Sequence, residues 1–115
     1  MSRGDIYWAD LAPRSGAEQS GHRPVVLLSN DGFNRIPSWR SVVVIPLTTS
    51  KAQGKRAFTV VEIPGGVAGL PKGSFAVCHQ MTTVDRTKLT KRIGPLPPGL
   101  LAAVEDGLKA ALDLP

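Results

Sequence analysis

The stretch Ser41-Val-Val-Val-Ile-Pro-Leu47 constrains this chain more than any other. Its successive β-branched residues lose side-chain freedom in a helix and pack well on a pleated surface. Apolarity without alternation over this length fits a strand buried on both faces. The run predicts a central strand.

A central strand needs neighbours, and the chain offers several. Ile6-Tyr7-Trp8 opens a first strand after the turn pair Gly4-Asp5, and this strand ends at Ala12-Pro13. Pro24-Val-Val-Leu-Leu28 reads as a second, with Pro24 at the first residue, where a missing N–H costs least. Phe58-Thr-Val-Val-Glu-Ile63 and Ser74-Phe-Ala-Val-Cys-His79 read as two more. Ser29-Asn30-Asp31-Gly32 turns or caps a short helix. From Pro97 the period changes: Leu101, Val104, Leu108 and Leu112 recur at three- and four-residue steps, which predicts an amphipathic C-terminal helix whose apolar stripe seals the core. The polar, glycine-containing stretch from Arg14 to His22 is longer than a usual hairpin connection and is the kind of loop that binds ligands. Lys51 to Arg56 is a basic loop. The expected architecture is one mainly β domain over residues 1–115, a small SH3-like, partly closed barrel of short antiparallel strands with the helix covering one side.

Composition sets the outer limits. A chain of 115 residues fits one domain, and its 12 glycines and 10 prolines are dispersed between elements rather than gathered in a linker. Fourteen Lys and Arg against nine Asp and Glu give a net charge of +5, which favours encounters with polyanions such as nucleic acid or acidic proteins. The single cysteine, Cys78, cannot form an internal disulfide, and a reducing, cytoplasmic setting is expected. Arg3, Asp5 and Asp10 leave no apolar core for a signal peptide, and the apolar runs fall far short of the ~20 residues of a membrane span. Two histidines and one cysteine, with only Cys78 and His79 adjacent, lack the number and spacing of zinc ligands, so neither a metal nor a cofactor is expected.

Taken together, Arg3-Gly-Asp-Ile-Tyr-Trp8, Gly16-Ala-Glu-Gln-Ser-Gly-His-Arg-Pro24, Leu28-Ser-Asn-Asp31, Pro46-Leu-Thr48 and Ile93-Gly94 strongly resemble the MazF/PemK/Kid family of toxin endoribonucleases. The likeness runs in order and at compatible spacings from Arg3 through the C-terminal helix. It implies a CcdB/PemK-type barrel, a homodimer, metal-independent cleavage of single-stranded RNA at a short sequence, and neutralisation by a cognate antitoxin. It matches Arg23 to the arginine of the Gly-x-Arg-Pro motif and Thr48 to the Thr or Ser of the Pro-Leu-Thr motif, both active-site positions, and Glu18 and Gln19 to the Glu-Gln of the preceding loop. In one place the chain departs from the pattern: where several members carry an acidic residue before Gln in the late strand, this sequence reads Cys78-His79-Gln80.

Each candidate has a chemical role and a plainer alternative. The guanidinium of Arg23 is a planar fork suited to phosphate and to the charge that builds on it, and the following proline holds its backbone extended. Without the motif it would read as a surface ion-pair arginine. The hydroxyl of Thr48 emerges at a strand end, where it could reach a phosphate oxygen or simply cap the strand. Glu18, His22 and His79 are candidate proton acceptors, with histidine titrating nearest neutrality. As alternatives, His22 is a loop residue and His79 a strand histidine bonded to backbone. Gln19, Asn30 and Gln80 could read the free base edges of single-stranded RNA, and Thr49 joins them as an RNA contact. Asn30 could equally serve only its own turn. Lys51, Lys55 and Arg56 could steer phosphates or be solvated charge. Trp8, in the first strand, reads as core and stays outside the site, whereas Trp39 is ambiguous.

The chemistry that suits this set is internal transesterification, in which the RNA 2′-hydroxyl attacks the adjacent phosphate. Two rivals share the fold: a protein poison of the kind that CcdB toxins are to DNA gyrase, and a member that binds RNA without cutting it. Those gyrase poisons rely on a tryptophan-containing ending, and this chain finishes Leu112-Asp-Leu-Pro115.

Overall fold

The computed structural model describes residues 1–11, 21–50 and 58–115. Among them the chain forms β1 (Asp5–Asp10), β2 (His22–Leu27), α1 (Asp31–Asn34), β3 (Ser41–Thr48), β4 (Val60–Ile63), β5 (Ser74–Val77), β6 (Thr82–Asp85), β7 (Leu89–Pro95) and α2 (Pro98–Leu112). The strands pair antiparallel in the order β4-β5-β3-β2-β1-β7, with β6 also on β3.

The β-branched run is β3, and it is central as its composition requires. One edge carries β2 through Val44 to Pro46, and the other carries β6 through Ser41 to Val44 and β5 through Leu47 and Thr48. This arrangement explains how a proline sits in the middle strand. The Leu28 N–H donates to the Val43 carbonyl at 2.9 Å, so Val26 and Ile45 form the next hydrogen-bonded pair and the Pro46 nitrogen points to the opposite edge. On that edge β6 has ended at Val44 and β5 begins at Leu47, so the missing N–H breaks no ladder bond.

Alternation along the paired strands builds two cores. Val26, Ile45 and Leu47 face α2 with Ile6, Ile63, Cys78 and Val104, while Val25, Leu27, Val42 and Val44 face the other way with Ala9 and Leu11, partly covered by Tyr7, Val84 and Leu89. The helix lies very close to the sheet: a Cβ at Gly107 would come within 2.8 Å of the Cys78 Sγ. Burial there pushes the Cys78 thiol up to about 11. The sheet curls until the turn Val67–Gly69, which follows β4, meets β7 at the far end of the strand order. Only glycine fits at position 94, because a Cβ would run into the Ala68 carbonyl oxygen.

Several boundaries differ from those expected. β1 ends at Asp10, and β2 begins at His22, which makes Pro24 its third residue. Pro24 precedes the first β2–β3 pair at Val25, so that stretch bonds to β1 alone and tolerates it. Phe58 lies outside β4 and is 82% exposed, and Cys78–Gln80 leave β5 as a 3-10 turn. β6 and β7 were not expected: β7, Leu-Thr-Lys-Arg-Ile-Gly-Pro, pairs on one edge and shows most of its side chains to water, so it carries no apolar run. In α2, Val104 is buried and Leu101 and Leu108 pack on the core, but Leu112 is 49% exposed and falls off the sealing stripe.

Candidate active site

The antiparallel register of β1 and β2 places Trp8 opposite Pro24 and diagonal to His22, so all three share one face. Trp8 and His22 stack, with ring centroids 5.1 Å apart and planes 15° from parallel. Thr90, on the neighbouring strand β7, completes the group: its hydroxyl donates to the Trp8 carbonyl and lies 3.3 Å from His22 Nε2.

Next to this stack the sheet opens. β2 and β3 stay paired only as far as Val25 and Pro46. Beyond that point Arg23 Nη1 donates a long hydrogen bond of 3.5 Å to the Leu47 carbonyl. The result is a cleft of about 310 Å³, with Trp8, His22, Arg23 and Pro24 on one side, Leu47 of β3 and Thr49 just past its end, Leu70, Pro71 and Lys72 from the turn before β5, and Ser74 at the start of β5. The lining combines two basic side chains, an imidazole, two hydroxyls and aromatic surface. Such a set receives an anion beside a flat ring.

Thr48 contributes differently from its neighbours. It is only 6% exposed, and its Oγ1 accepts the Ser50 N–H at 3.1 Å, so it caps the strand end between Leu47 and Thr49, which line the cleft on either side of it. Its hydroxyl proton remains available to donate. Among the described residues, no three His, Cys, Asp or Glu side chains gather as a metal-ligand set.

A sequence profile of the PemK-like, MazF-like toxins of type II toxin-antitoxin systems matches residues 2–112. The chain belongs to this toxin family. It is similar to the protein named Endoribonuclease MazF6 of Mycobacterium tuberculosis, at 34% identity over 99% of this chain and 98% of that one. Among solved structures it resembles the Mycobacterium tuberculosis toxin MazF-mt6, with a TM-score of 0.78 and 26% identity over 96% of this chain and 98% of the other. The fold is also that of an endoribonuclease in complex with its cognate antitoxin from a mycobacterial species, with a TM-score of 0.78 and 24% identity over 98% and 95% of the two chains.

In this toxin the motif residues Trp8, Arg23, Pro24 and Leu47 meet in the cleft, with His22 and Thr49. Other sequence candidates lie elsewhere. His79 is at the far end of β5 from Ser74, outside the cleft lining, where its Nδ1 pairs with the Thr59 hydroxyl at 2.8 Å. Gln80 sits in the same turn. Asn30 is the N-cap of α1, its Oδ1 accepting the Gly32 N–H at 2.7 Å, so it serves its own turn. Glu18, Gln19, Lys51, Lys55 and Arg56 lie outside the described residues.

Five lining residues, Trp8, Leu70, Pro71, Lys72 and Ser74, are not marked as site residues by the sequence. Trp8 was expected in the core, and the structure corrects this: it lies half-buried on the cleft, where its ring stacks on His22 rather than on apolar side chains. Leu70, Pro71 and Lys72 come from the Gly/Pro turn before β5, and Ser74 opens that strand, with no motif to mark any of them. The pairing of Trp8 with Pro24 was the signal that could have found the first, because it follows once β1 and β2 are set antiparallel.

Proposed function

We propose that this toxin is a sequence-specific, metal-independent endoribonuclease that cuts single-stranded RNA by internal transesterification and is neutralised by a cognate antitoxin. The convergence of Arg23, Lys72, His22 and Trp8 on one cleft carries the reading. Two cationic side chains, Arg23 and Lys72, flank the place for a phosphate, the hydroxyl of Thr49 reaches a non-bridging oxygen, and the ring of Trp8 offers a surface for a neighbouring base.

In the reaction a base removes the 2′-hydroxyl proton, the 2′-oxygen bonds to phosphorus, and the P–O5′ bond breaks. A 2′,3′-cyclic phosphate and a 5′-hydroxyl result, the leaving oxygen taking its proton from water. Arg23 acts as charge stabiliser, because a guanidinium stays protonated and holds two donors toward the oxygens as negative charge grows. Of the candidate bases among the described residues, His22 lines the cleft and His79 does not.

The toxin works as a cytoplasmic homodimer, and an acidic antitoxin segment suits its net charge of +5. Incubation of the purified toxin with a long single-stranded RNA in excess EDTA, followed by mapping of cut sites and end groups, tests the reading. Discrete cuts ending in 2′,3′-cyclic phosphate are expected. Intact RNA, from folded toxin free of antitoxin, would overturn it.

A further inference from the structure

Thr90 belongs to none of the sequence motifs, yet it touches both members of the aromatic stack. A threonine hydroxyl has one proton, and here it points to the Trp8 carbonyl at 3.3 Å. At its second contact, 3.3 Å from His22 Nε2, the oxygen is therefore the acceptor and Nε2 carries the hydrogen. A neutral imidazole has one N–H, so the Nδ1 lone pair is left open. The Trp8 ring, parallel to within 15°, covers one face of the imidazole and limits its rotation.

We propose that Thr90 is a positioning residue that fixes His22 as the Nε2–H tautomer and so presents Nδ1 to the cleft as the base for the 2′-hydroxyl. The inference rests on the endoribonuclease reading for what Nδ1 does, but not for the tautomer itself. Three adjacent strands build the device: β2 supplies the imidazole, β1 the ring and the carbonyl, and β7 the hydroxyl. Nδ1 accepts the 2′-hydroxyl proton as the 2′-oxygen attacks. The imidazolium then returns that proton to solvent after the 5′-oxygen has left.

Two readouts test this. Long-range proton–nitrogen NMR of histidine-labelled toxin at about pH 8, above the range in which free imidazole titrates, reports the tautomer of each ring, and a His79→Asn variant assigns the signals. In the wild type His22 shows protonated Nε2 and bare Nδ1. Thr90→Val moves the population toward Nδ1–H and lowers kcat by roughly tenfold or more, a part of what an oriented general base supplies, while affinity for an uncleavable 2′-deoxy RNA stays within about twofold. Thr90→Ser restores both. A wild-type His22 protonated at Nδ1, or a Thr90→Val variant with unchanged tautomer and rate, would overturn the proposal. A toxin with the expected tautomer, and with its shift in Thr90→Val, that leaves RNA intact would overturn the base role and the endoribonuclease reading together, and keep Thr90 as the residue that sets His22.

Discussion

Two halves of the same strand behave differently. From Val25 to Leu27, β2 is flanked by β1 and β3, and its side chains are fully buried in the two cores. From His22 to Pro24 it keeps β1 alone, and its side chains turn from packing to lining a cleft. The strand has not ended. Its neighbour has left it, because β3 passes on to pair with β5 at Leu47 and Thr48. A site arises where a sheet keeps its backbone order but gives up one partner, which yields rigid support beside an open edge.

That contrast predicts which changes break the fold and which break the function. The largest effect on stability belongs to the doubly flanked half. Ile45→Ala, at a site with no exposed surface, is expected to cost about 2–5 kcal/mol in chemical denaturation, yet leave the cutting rate of the folded fraction near that of wild type. On the open half the order reverses. Lys72→Ala, in a side chain with no ion pair among the described residues, is expected to weaken RNA binding about tenfold and to flatten its salt dependence, with denaturation unchanged. Affinity that keeps its full salt slope would remove Lys72 from phosphate contact.

A third contrast is chemical. The thiol of Cys78, raised to about 11 beneath α2, is expected to stay unmodified by iodoacetamide at neutral pH until the protein unfolds, as mass spectrometry would show. Rapid labelling of native protein would mean that the helix lifts from the sheet.

The smallest effect lies far from the cleft. The Thr87 N–H, the Thr87 hydroxyl and Arg40 hold the Asp85 carboxyl down to about 2, against an ordinary 3.8. A depressed carboxylate stabilises the fold above its unfolded value and loses that contribution as pH falls through the folded one. Acidification from about pH 4 to 2 should therefore erode wild-type stability slightly more than that of Asp85→Asn. Equal acid sensitivity would show that the turn at Arg86 does not depend on this carboxylate. That turn matters locally because the Arg86 guanidinium donates to the carbonyls of Phe33, Asn34, Ile36 and Trp39 and so holds the segment after α1. The Phe33 and Trp39 rings stack on each other there, which settles Trp39 as part of that segment and not of the cleft.

The same division explains what could be read from the residues alone. Where burial is two-sided the chemistry is visible in one dimension, and β3 announces itself through its valines; the helices are legible from other local signals, α2 from its leucine spacing and α1 from the Asn30 cap. Where a strand is flanked on one edge, polar residues alternate with nothing that distinguishes them from a loop, and β7 was missed for that reason. Arg23 and Thr48 were legible only as parts of motifs, and of these Thr48 proves to cap its strand end. The stack of Trp8 on His22 and the reach of Thr90 to both depend on the register of three strands. No local pattern encodes a register between residues 68 and 82 positions apart.

The most direct test of the account pairs one rate with one melting curve on the Arg23→Ala toxin. The account predicts that cleavage of single-stranded RNA falls by roughly 100-fold or more, while the melting temperature stays within about two degrees of wild type, because Arg23 serves the open half of β2 and not its packing. Cleavage at the wild-type rate by the folded variant would contradict it, as would a loss of rate matched by a loss of fold.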